Sequence, residues 1–290
     1  MLPDDLARDE PTEGPDESAY RSPSIVAADI ATVERDSAST LSDAVRPWGP
    51  WATLAWGLLC GGVFVATSSG AALIYVVLHV ALEQAGAEWP PGFESGFESF
   101  LEGGIDGLFE ALATIAIAPF CLATLWIAAR FRGPNVATYL GLGPLPGATL
   151  RWIAVLVLYV VVADGLTWLA GRPLVPDFMW ESYRTAGWLP LLLVALIVAA
   201  PLTEETFFRG FLFRGWAASR LGGWGTIVLV SALWAGIHVQ YDLLGIASIF
   251  AAGLLLGAAR WSTGSTTLTI LLHAIMNAIA TLQLLVAAAW

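Results

Sequence analysis

The sequence predicts an all-α protein, a polytopic bundle of transmembrane helices. Hydrophobic residues make up 57% of the 290 residues, charged residues only 13%, and the mean hydropathy is +0.70. Soluble domains carry about 25% charged residues, so this composition excludes a water-soluble enzyme. A membrane-spanning helix needs about 20 apolar residues, and the chain contains about seven such runs.

The N-terminal segment, residues 1–47, differs from the rest of the chain. Residues 1–46 contain 11 acidic residues and four Arg, so most of the net charge of −11 lies there. A segment this polar cannot bury enough apolar surface to fold by itself. We therefore expect a disordered acidic tail, with at most a short helix around Ile25–Val33.

Residues 48–290 form the predicted transmembrane domain. We expect about seven spans, within a range of six to eight. The first run is long enough to contain a break, and the fourth has apolar residues on both sides of Pro201. The predicted spans are Trp51–Leu82, Leu108–Ala129, Trp152–Ala170, Trp188–Leu202, Trp224–His238, Leu243–Ala259 and Leu268–Ala289.

The positions of the arginines predict the orientation. All 13 basic residues are Arg, and cytoplasmic loops carry an excess of basic residues. In a seven-span count, the loops after spans two, four and six share one side with Arg46, and the acidic segment from Glu83 to Glu110 falls on the other. We therefore expect a multi-pass membrane protein with a cytoplasmic N-terminus. The arginines in those loops are Arg130, Arg132, Arg151, Arg214, Arg220 and Arg260.

The segment Gly92–Glu110 repeats acidic and apolar residues at four-residue intervals. This spacing puts each set on one helical stripe, which predicts an amphipathic helix at the outer membrane interface. An interfacial connector and a gate or docking helix for a substrate both fit the pattern. The acidic residues are Glu94, Glu98, Glu102, Asp106 and Glu110.

The composition also excludes two kinds of site. Nucleic-acid binding needs a basic surface, which this acidic chain lacks. Cys60 and Cys121 both lie in apolar runs, where a free cysteine packs as a small hydrophobic side chain. We therefore expect neither a disulfide framework nor a cysteine metal site.

Ionisable residues inside a membrane are costly and therefore indicate function, and most of those found here lie in the C-terminal third. Glu204, Glu205 and Arg209 directly follow an apolar run. In a continuous helix Glu205 and Arg209 are four apart, in the favourable order for an ion pair, whereas Glu204 points in another direction. A carboxylate without that partner suits a general base. An ion-pair cluster at the end of a span is the alternative.

Two further polar positions lie in later spans. His238 comes four residues after Trp234, and His273 and Asn277, also four apart, share a face of the last span. Each alone is typical of a side chain that hydrogen-bonds to a neighbouring helix. Together with Glu204 they provide the parts for hydrolysis: a carboxylate to activate water, a histidine to orient it, and two donors for an oxyanion.

The same residues include a possible metal-binding set. A Glu with two His is used at catalytic zinc, and the ligands here would be Glu204, His238 and His273, each from a separate helix. The chain lacks H-E-x-x-H, the strong helical zinc motif. A metal-free mechanism fits equally well, and we expect no metal and no other cofactor.

These motifs, in this order, resemble the CPBP family. Its members are intramembrane endopeptidases related to the CAAX prenyl proteases, together with relatives associated with bacteriocin processing and immunity. The family pattern is E-E-x-x-x-R, then F-x-x-x-H, then H-x-x-x-N or a similar polar residue. The resemblance covers about residues 188–290, where this chain has Glu204-Glu205-x-x-x-Arg209, Trp234-x-x-x-His238 and His273-x-x-x-Asn277.

The resemblance implies a CAAX-protease-like bundle and a role for each matching residue. Glu204 looks like the glutamate that activates water, and His238 looks like its partner. His273 and Asn277 look like the pair that stabilises the oxyanion. The residues that look like supports for the first glutamate are Glu205 and Arg209.

Trp234 departs from the family pattern, in which Phe is usual. Trp is larger and adds an N–H, so the wall beside His238 differs. The sequence therefore does not define the shape of the substrate pocket. Family members have been described both as metalloproteases and as metal-independent, glutamate-dependent enzymes. Zinc on Glu204, His238 and His273 therefore remains an alternative.

The sequence thus predicts an intramembrane endopeptidase of a prokaryotic cell membrane. Its expected partners are membrane lipid and a membrane-associated protein or peptide substrate. The resemblance does not decide whether that substrate is lipidated. The alternative is a proteolytically silent membrane protein that binds a peptide, or one of the bacteriocin-immunity type. A secondary transporter is disfavoured because the two halves show no internal repeat.

Asp164 lies inside the third predicted span and outside the family motifs. A buried Asp must find a partner or stay protonated. A hydrogen bond that stabilises the bundle is the favoured interpretation, and an ion or proton pathway is the alternative.

Overall fold

The computed structural model of the chain describes residues 46–86 and 93–290. The predicted acidic tail lies outside the described residues except for its last two positions, and so does the short helix expected around Ile25–Val33. The described residues form an all-α bundle, as predicted. Its helices are α1 (Pro50–Gln84), α2 (Phe93–Leu101), α3 (Gly107–Arg130), α4 (Val136–Leu140), α5 (Thr149–Leu169), α6 (Asp177–Thr185), α7 (Leu189–Ala217), α8 (Gly222–Gly236), α9 (Leu243–Thr263) and α10 (Thr266–Ala288).

Six of the described helices are long and apolar enough to cross a membrane: α1, α3, α5, α7, α9 and α10. This confirms a multi-pass integral membrane protein at the lower end of the expected range. The fifth predicted span corresponds to α8, an apolar helix of only 15 residues. At 1.5 Å per residue α8 is about 22 Å long, which is shorter than a hydrocarbon core of about 30 Å.

Helix α7 is the centre of the bundle and packs against α1, α3, α4, α8, α9 and α10. It passes Pro201 and ends at Ala217, well beyond the predicted span end at Leu202. Proline lacks the N–H that would bond to the preceding turn. The helix accommodates it by widening into a π-helical segment, Ala195–Ala199, just before the proline.

Short polar side chains define the start of several helices. The Asp242 side chain accepts a hydrogen bond from the backbone N–H of Gly245 at the start of α9, and Ser265 accepts one from Leu268 at the start of α10. Such caps satisfy N–H groups that have no partner inside the helix. Gly264 has a φ of +70°, which glycine adopts at little cost, so the chain turns directly from α9 into α10.

The segment predicted as one amphipathic helix is not continuous. Helix α2 ends at Leu101, Gly103 adopts a φ of +81°, and α3 begins only at Gly107. Asp106 is buried, and its side chain accepts hydrogen bonds from the backbone N–H groups of Leu108 and Phe109. The prediction of one helix over Gly92–Glu110 is therefore wrong in its C-terminal half, because two glycines end α2 and Asp favours a cap over a helix interior. Gly92 itself lies outside the described residues.

Candidate active site

The two adjacent glutamates lie on a single α-helical turn of α7 between two π-helical segments. The turn is Ala200–Glu205, and the π segments are Ala195–Ala199 and Thr206–Leu212. π-Helical turns are rare and occur frequently at functional sites. Because they widen the helix, some backbone carbonyls lose their usual partners and become available to side chains of neighbouring helices.

A buried ion-pair cluster forms around Glu205. Nη1 of Arg209 donates to Oε1 of Glu205 at 2.8 Å, and both side chains are 0% exposed. Nδ1 of His273 lies 3.1 Å from the same oxygen. The predicted pairing of Glu205 with Arg209 is confirmed, and a charge buried this deeply requires such a partner. The structure brings His273 to Glu205 as well.

Arg209 is held by two further contacts. Its guanidinium lies over the ring of Trp234, 4.6 Å from the centroid, and Nη2 donates to the carbonyl oxygen of Gly253 at 3.4 Å. A guanidinium over an indole face is a favourable cation–π arrangement. These contacts connect α7 to α8 and α9 directly behind the glutamates.

Glu204 has separate surroundings. Its Oε2 accepts a hydrogen bond of 2.7 Å from the indole N–H of Trp234, which is almost completely buried. Glu204 itself is half-buried and lines a cavity. The residue that departs from the family pattern therefore uses its additional N–H to hold the predicted general base.

His238 also contacts Trp234. Its Nδ1 donates to the backbone carbonyl of Trp234 at 2.7 Å, since a carbonyl can only accept. In the neutral ring this leaves the lone pair on Nε2, which is free to accept a proton or bind water. The rings of His238 and His273 lie edge-on to the Trp234 indole, with centroids 5.1 Å and 5.2 Å away. Trp234 thus contacts Glu204, His238, His273 and Arg209.

Asn277 and Arg260 bind the widened parts of α7. Nδ2 of Asn277 donates to the Leu196 carbonyl in the first π segment at 2.7 Å. Nε of Arg260 donates to the Arg209 carbonyl in the second at 2.9 Å. One amide N–H of Asn277 therefore satisfies the Leu196 carbonyl, which the π-helical turn displaces. The prediction that Arg260 lies in a loop is wrong: Arg260 is buried inside α9, where a widened turn of α7 offers it a carbonyl.

The cavity beside Glu204 has a volume of about 510 Å³. Glu110 and Asp106 also line it. Ser182 donates to Oε2 of Glu110 at 2.6 Å. Glu110 belongs to the predicted amphipathic stripe, and its position in this cavity was not predicted from the sequence. The other lining side chains are mostly apolar and include Phe64, Phe100, Phe109, Ile117 and Phe178.

A second cavity of about 440 Å³ lies next to the first, and Phe178 and Gln240 line both. Asp164 lines this second cavity and accepts a hydrogen bond of 2.6 Å from Nε2 of Gln283. The contact joins α5 to α10, as expected for a polar residue that stabilises the bundle. Asn277 and Tyr241 are also in the wall.

The geometry of the candidate ligands bears on the zinc alternative. Among residues 46–86 and 93–290, no group of three or more His, Cys, Asp or Glu side chains is arranged to hold a metal ion. The Nδ1 atoms of His273 and His238 contact Glu205 and a backbone carbonyl, which leaves each Nε2 available and is compatible with metal binding. What speaks against zinc is that Glu204, His238 and His273 do not converge on one point in the described residues.

Comparison with known proteins connects this geometry to a family. Residues 186–279 match the family model described as type II CAAX prenyl endopeptidase Rce1-like. The chain is also 30% identical over 205 residues to an uncharacterized 24.3 kDa protein of Escherichia coli, covering 67% of this chain and 89% of the relative. A search of the solved structures gave no significant match.

The matched region extends from just before α7 into α10, so it includes both glutamates, Arg209, Trp234, His238, His273 and Asn277. The resemblance of the three sequence motifs is thereby confirmed at the level of the family. The chain belongs to the Rce1-like family of type II CAAX prenyl endopeptidases, the membrane proteases to which its three motifs point.

Proposed function

We propose that this protein hydrolyses a peptide bond in a membrane-associated protein or peptide, with Glu204 as the general base. One observation carries the proposal: Trp234 fixes one oxygen of Glu204, and the residue lines a cavity large enough for part of a peptide. The neighbouring Glu205 is fully buried and paired, so it cannot serve as the base. Two adjacent carboxylates therefore divide into one that reacts and one that supports.

In the proposed reaction, water lies between Glu204 and the carbonyl carbon of the substrate. Glu204 takes a proton from the water while the new C–O bond forms, and the carbonyl electron pair moves onto oxygen. The C–N bond then breaks, and the leaving amine receives the proton from Glu204. Nε2 of His238 accepts a hydrogen bond from the water and orients it, because Nδ1 is already donating.

His273 and Asn277 remain the proposed oxyanion donors, but their other contacts limit how many hydrogen bonds each can donate. The Nδ1–H of His273 is directed at Glu205, so its Nε2 donates only when the ring is an imidazolium. Asn277 donates one amide hydrogen to Leu196 and keeps the second. Glu205 and Arg209 position His273 and the turn that carries Glu204.

The substrate class follows from the setting. A family of membrane endopeptidases and a cavity lined mostly by apolar residues favour a substrate that is itself associated with lipid. A lipidated peptide and an unmodified membrane peptide both fit this description. We propose the prokaryotic cell membrane as the location, with the N-terminus in the cytoplasm.

The proposal is tested by mapping new peptide termini in host membranes that contain wild type, Glu204→Gln or Glu98→Gln at matched expression. Glu98 is an exposed acid on α2 and serves as the control. We expect termini that appear with wild type and Glu98→Gln and disappear with Glu204→Gln. Identical termini in all three samples would instead favour the silent peptide-binding or immunity protein.

The same membranes test the zinc alternative. Because the candidate ligands do not converge, we expect cleavage to persist after treatment with 1,10-phenanthroline. Loss of cleavage that added Zn²⁺ restores, while Mg²⁺ does not, would overturn the metal-free mechanism.

A further inference from the structure

Tyr241 lies beside the site but outside the motifs that identified it. It belongs to the connection between α8 and α9, three residues after His238. Its backbone N–H donates to the His238 carbonyl at 3.1 Å, and the two rings lie with centroids 6.2 Å apart. The turn that follows the predicted histidine therefore holds a phenol close to it.

The phenol ring lies where the two cavities meet. Tyr241 lines the second cavity, and its neighbour Gln240 lines both. Phe178, which also lines both, packs edge-on against the Tyr241 ring at 4.7 Å. Within the described residues the hydroxyl of Tyr241 makes no hydrogen bond, whereas the Tyr159 hydroxyl in the same cavity contacts the Ser248 carbonyl at 2.7 Å.

Burial and neighbouring charge keep the Tyr241 hydroxyl protonated. Burial, followed by the negative charges of Glu110 and Glu204, raises the pKa of Tyr241 to about 12. The two carboxylates therefore act on the phenol, and it stays an O–H donor throughout the neutral range. A donor that experiences the charge of the proposed base and makes no hydrogen bond within the described residues is suited to bind a reacting carbonyl.

The other donors are partly engaged. His273 directs Nδ1–H at Glu205, and Asn277 directs one N–H at Leu196. A carbonyl oxygen that becomes negative needs donors already in place, because reorienting them costs free energy during the reaction.

We propose that the Tyr241 hydroxyl donates a hydrogen bond to the carbonyl oxygen of the scissile peptide bond and is a further catalytic residue. The inference rests on the proposed function. No bond of the tyrosine breaks: the O–H remains intact while the C–O bond to water forms and the oxyanion accepts the hydrogen bond. When the C–N bond breaks, the carbonyl reforms and the hydrogen bond weakens again.

The test uses Tyr241→Phe, which removes one oxygen atom and keeps the ring against Phe178. The matched control is Tyr159→Phe, which removes a hydroxyl from the same cavity whose partners are the carbonyl and hydroxyl oxygens of Ser248. The substrate is a quenched fluorescent peptide spanning a cleavage site from the terminus mapping, presented in phosphatidylglycerol-containing vesicles with the full-length protein. Both kcat and KM are measured at pH 6 and pH 8.

We expect Tyr241→Phe to lower kcat about 100-fold, the order observed for loss of one oxyanion donor, with KM within about two-fold of wild type. Tyr159→Phe should retain kcat, and the loss in Tyr241→Phe should be equal at both pH values because the phenol does not titrate there. An unchanged kcat, or a higher KM alone, would overturn the inference and make Tyr241 a wall of the cavity.

The outcomes separate the two proposals. If wild type and Glu204→Gln yield the same termini, the proposed function fails and the inference fails with it. If Glu204→Gln is inactive and Tyr241→Phe is fully active, only the role of Tyr241 is wrong. Thermal unfolding of both tyrosine variants, measured in detergent, identifies a loss of activity that comes from loss of folding.

Discussion

The indole N–H of Trp234 donates a 2.7 Å hydrogen bond to Oε2 of Glu204. A tryptophan four residues before a histidine in sequence therefore positions a glutamate 30 residues earlier. The bond occupies one carboxylate oxygen of a residue that lines the cavity. A Phe, which is usual at this position of the family pattern, could not donate this bond.

The first prediction concerns this bond. Trp234→Phe keeps an aromatic ring over Arg209 but removes the donor. A hydrogen bond to a charged group contributes about 1.5–3 kcal/mol, so we expect kcat of the folded protein to fall at least about tenfold. The free energy of unfolding should fall as well, because shortening a buried indole leaves a cavity. The variant is compared with wild type on the vesicle-bound peptide. An unchanged kcat would mean that the usual phenylalanine serves equally well and that the N–H is dispensable.

The second prediction concerns the ion pair. Removing Arg209 leaves Glu205 as a buried charge without its guanidinium, a change that costs about 3–5 kcal/mol in other proteins. We therefore expect Arg209→Ala to lower the free energy of unfolding in detergent by that amount. Arg184→Ala removes an exposed arginine that lies 3.8 Å from Glu181, and it should cost less than about 1 kcal/mol. Equal effects of the two variants would contradict the buried pair.

The third prediction separates two roles of Asn277. If its amide only stabilises an oxyanion, Asn277→Leu should reduce activity and leave stability intact. Because Nδ2 also satisfies the Leu196 carbonyl, we expect a loss of stability of about 1–3 kcal/mol as well. Thermal unfolding of Asn277→Leu, measured in the inactive Glu204→Gln background, isolates the structural part. An unchanged midpoint there would refute it.

The fourth prediction concerns alkaline stability. Tyrosine has an ordinary pKa of 10.0, and in the folded protein that of Tyr241 is raised to about 12. Below pH 10 both states keep the proton. Between pH 10 and 12 the unfolded chain loses it first, so this residue makes the fold progressively less stable as the pH rises. Tyr241→Phe should lack this contribution and lose less stability than wild type over that interval, as measured by urea unfolding. The same loss in both proteins would contradict the shift.

Local patterns were sufficient to predict much of this molecule. Runs of apolar residues predicted the spans, because hydrocarbon thickness sets their length. Four-residue spacing predicted the contact between Glu205 and Arg209, since helical geometry alone brings such residues together. These are properties of a segment by itself and require no knowledge of its neighbours.

Contacts between helices could not be predicted from the sequence. His273 lies against Glu205, and nothing in the spacing of the motifs distinguishes that partner from Glu204. The π-helical segments of α7 were also unpredicted, because their displaced carbonyls are stabilised by Asn277 and Arg260 from other helices. Glu110 lines the cavity because α2 ends before Gly103 and Asp106 caps the start of α3.

Helix α1 has a consequence for the membrane around it. Its 35 residues extend about 52 Å at 1.5 Å per residue, against a hydrocarbon core of about 30 Å. A helix this long must lean steeply, deform the lipid or project beyond it. Tyr75, near its C-terminal end, packs against Phe97 and Phe100 of α2 and against Phe109 in the wall of the Glu204 cavity. Through these contacts we expect hydrophobic mismatch, which depends on bilayer thickness, to influence the shape of that cavity.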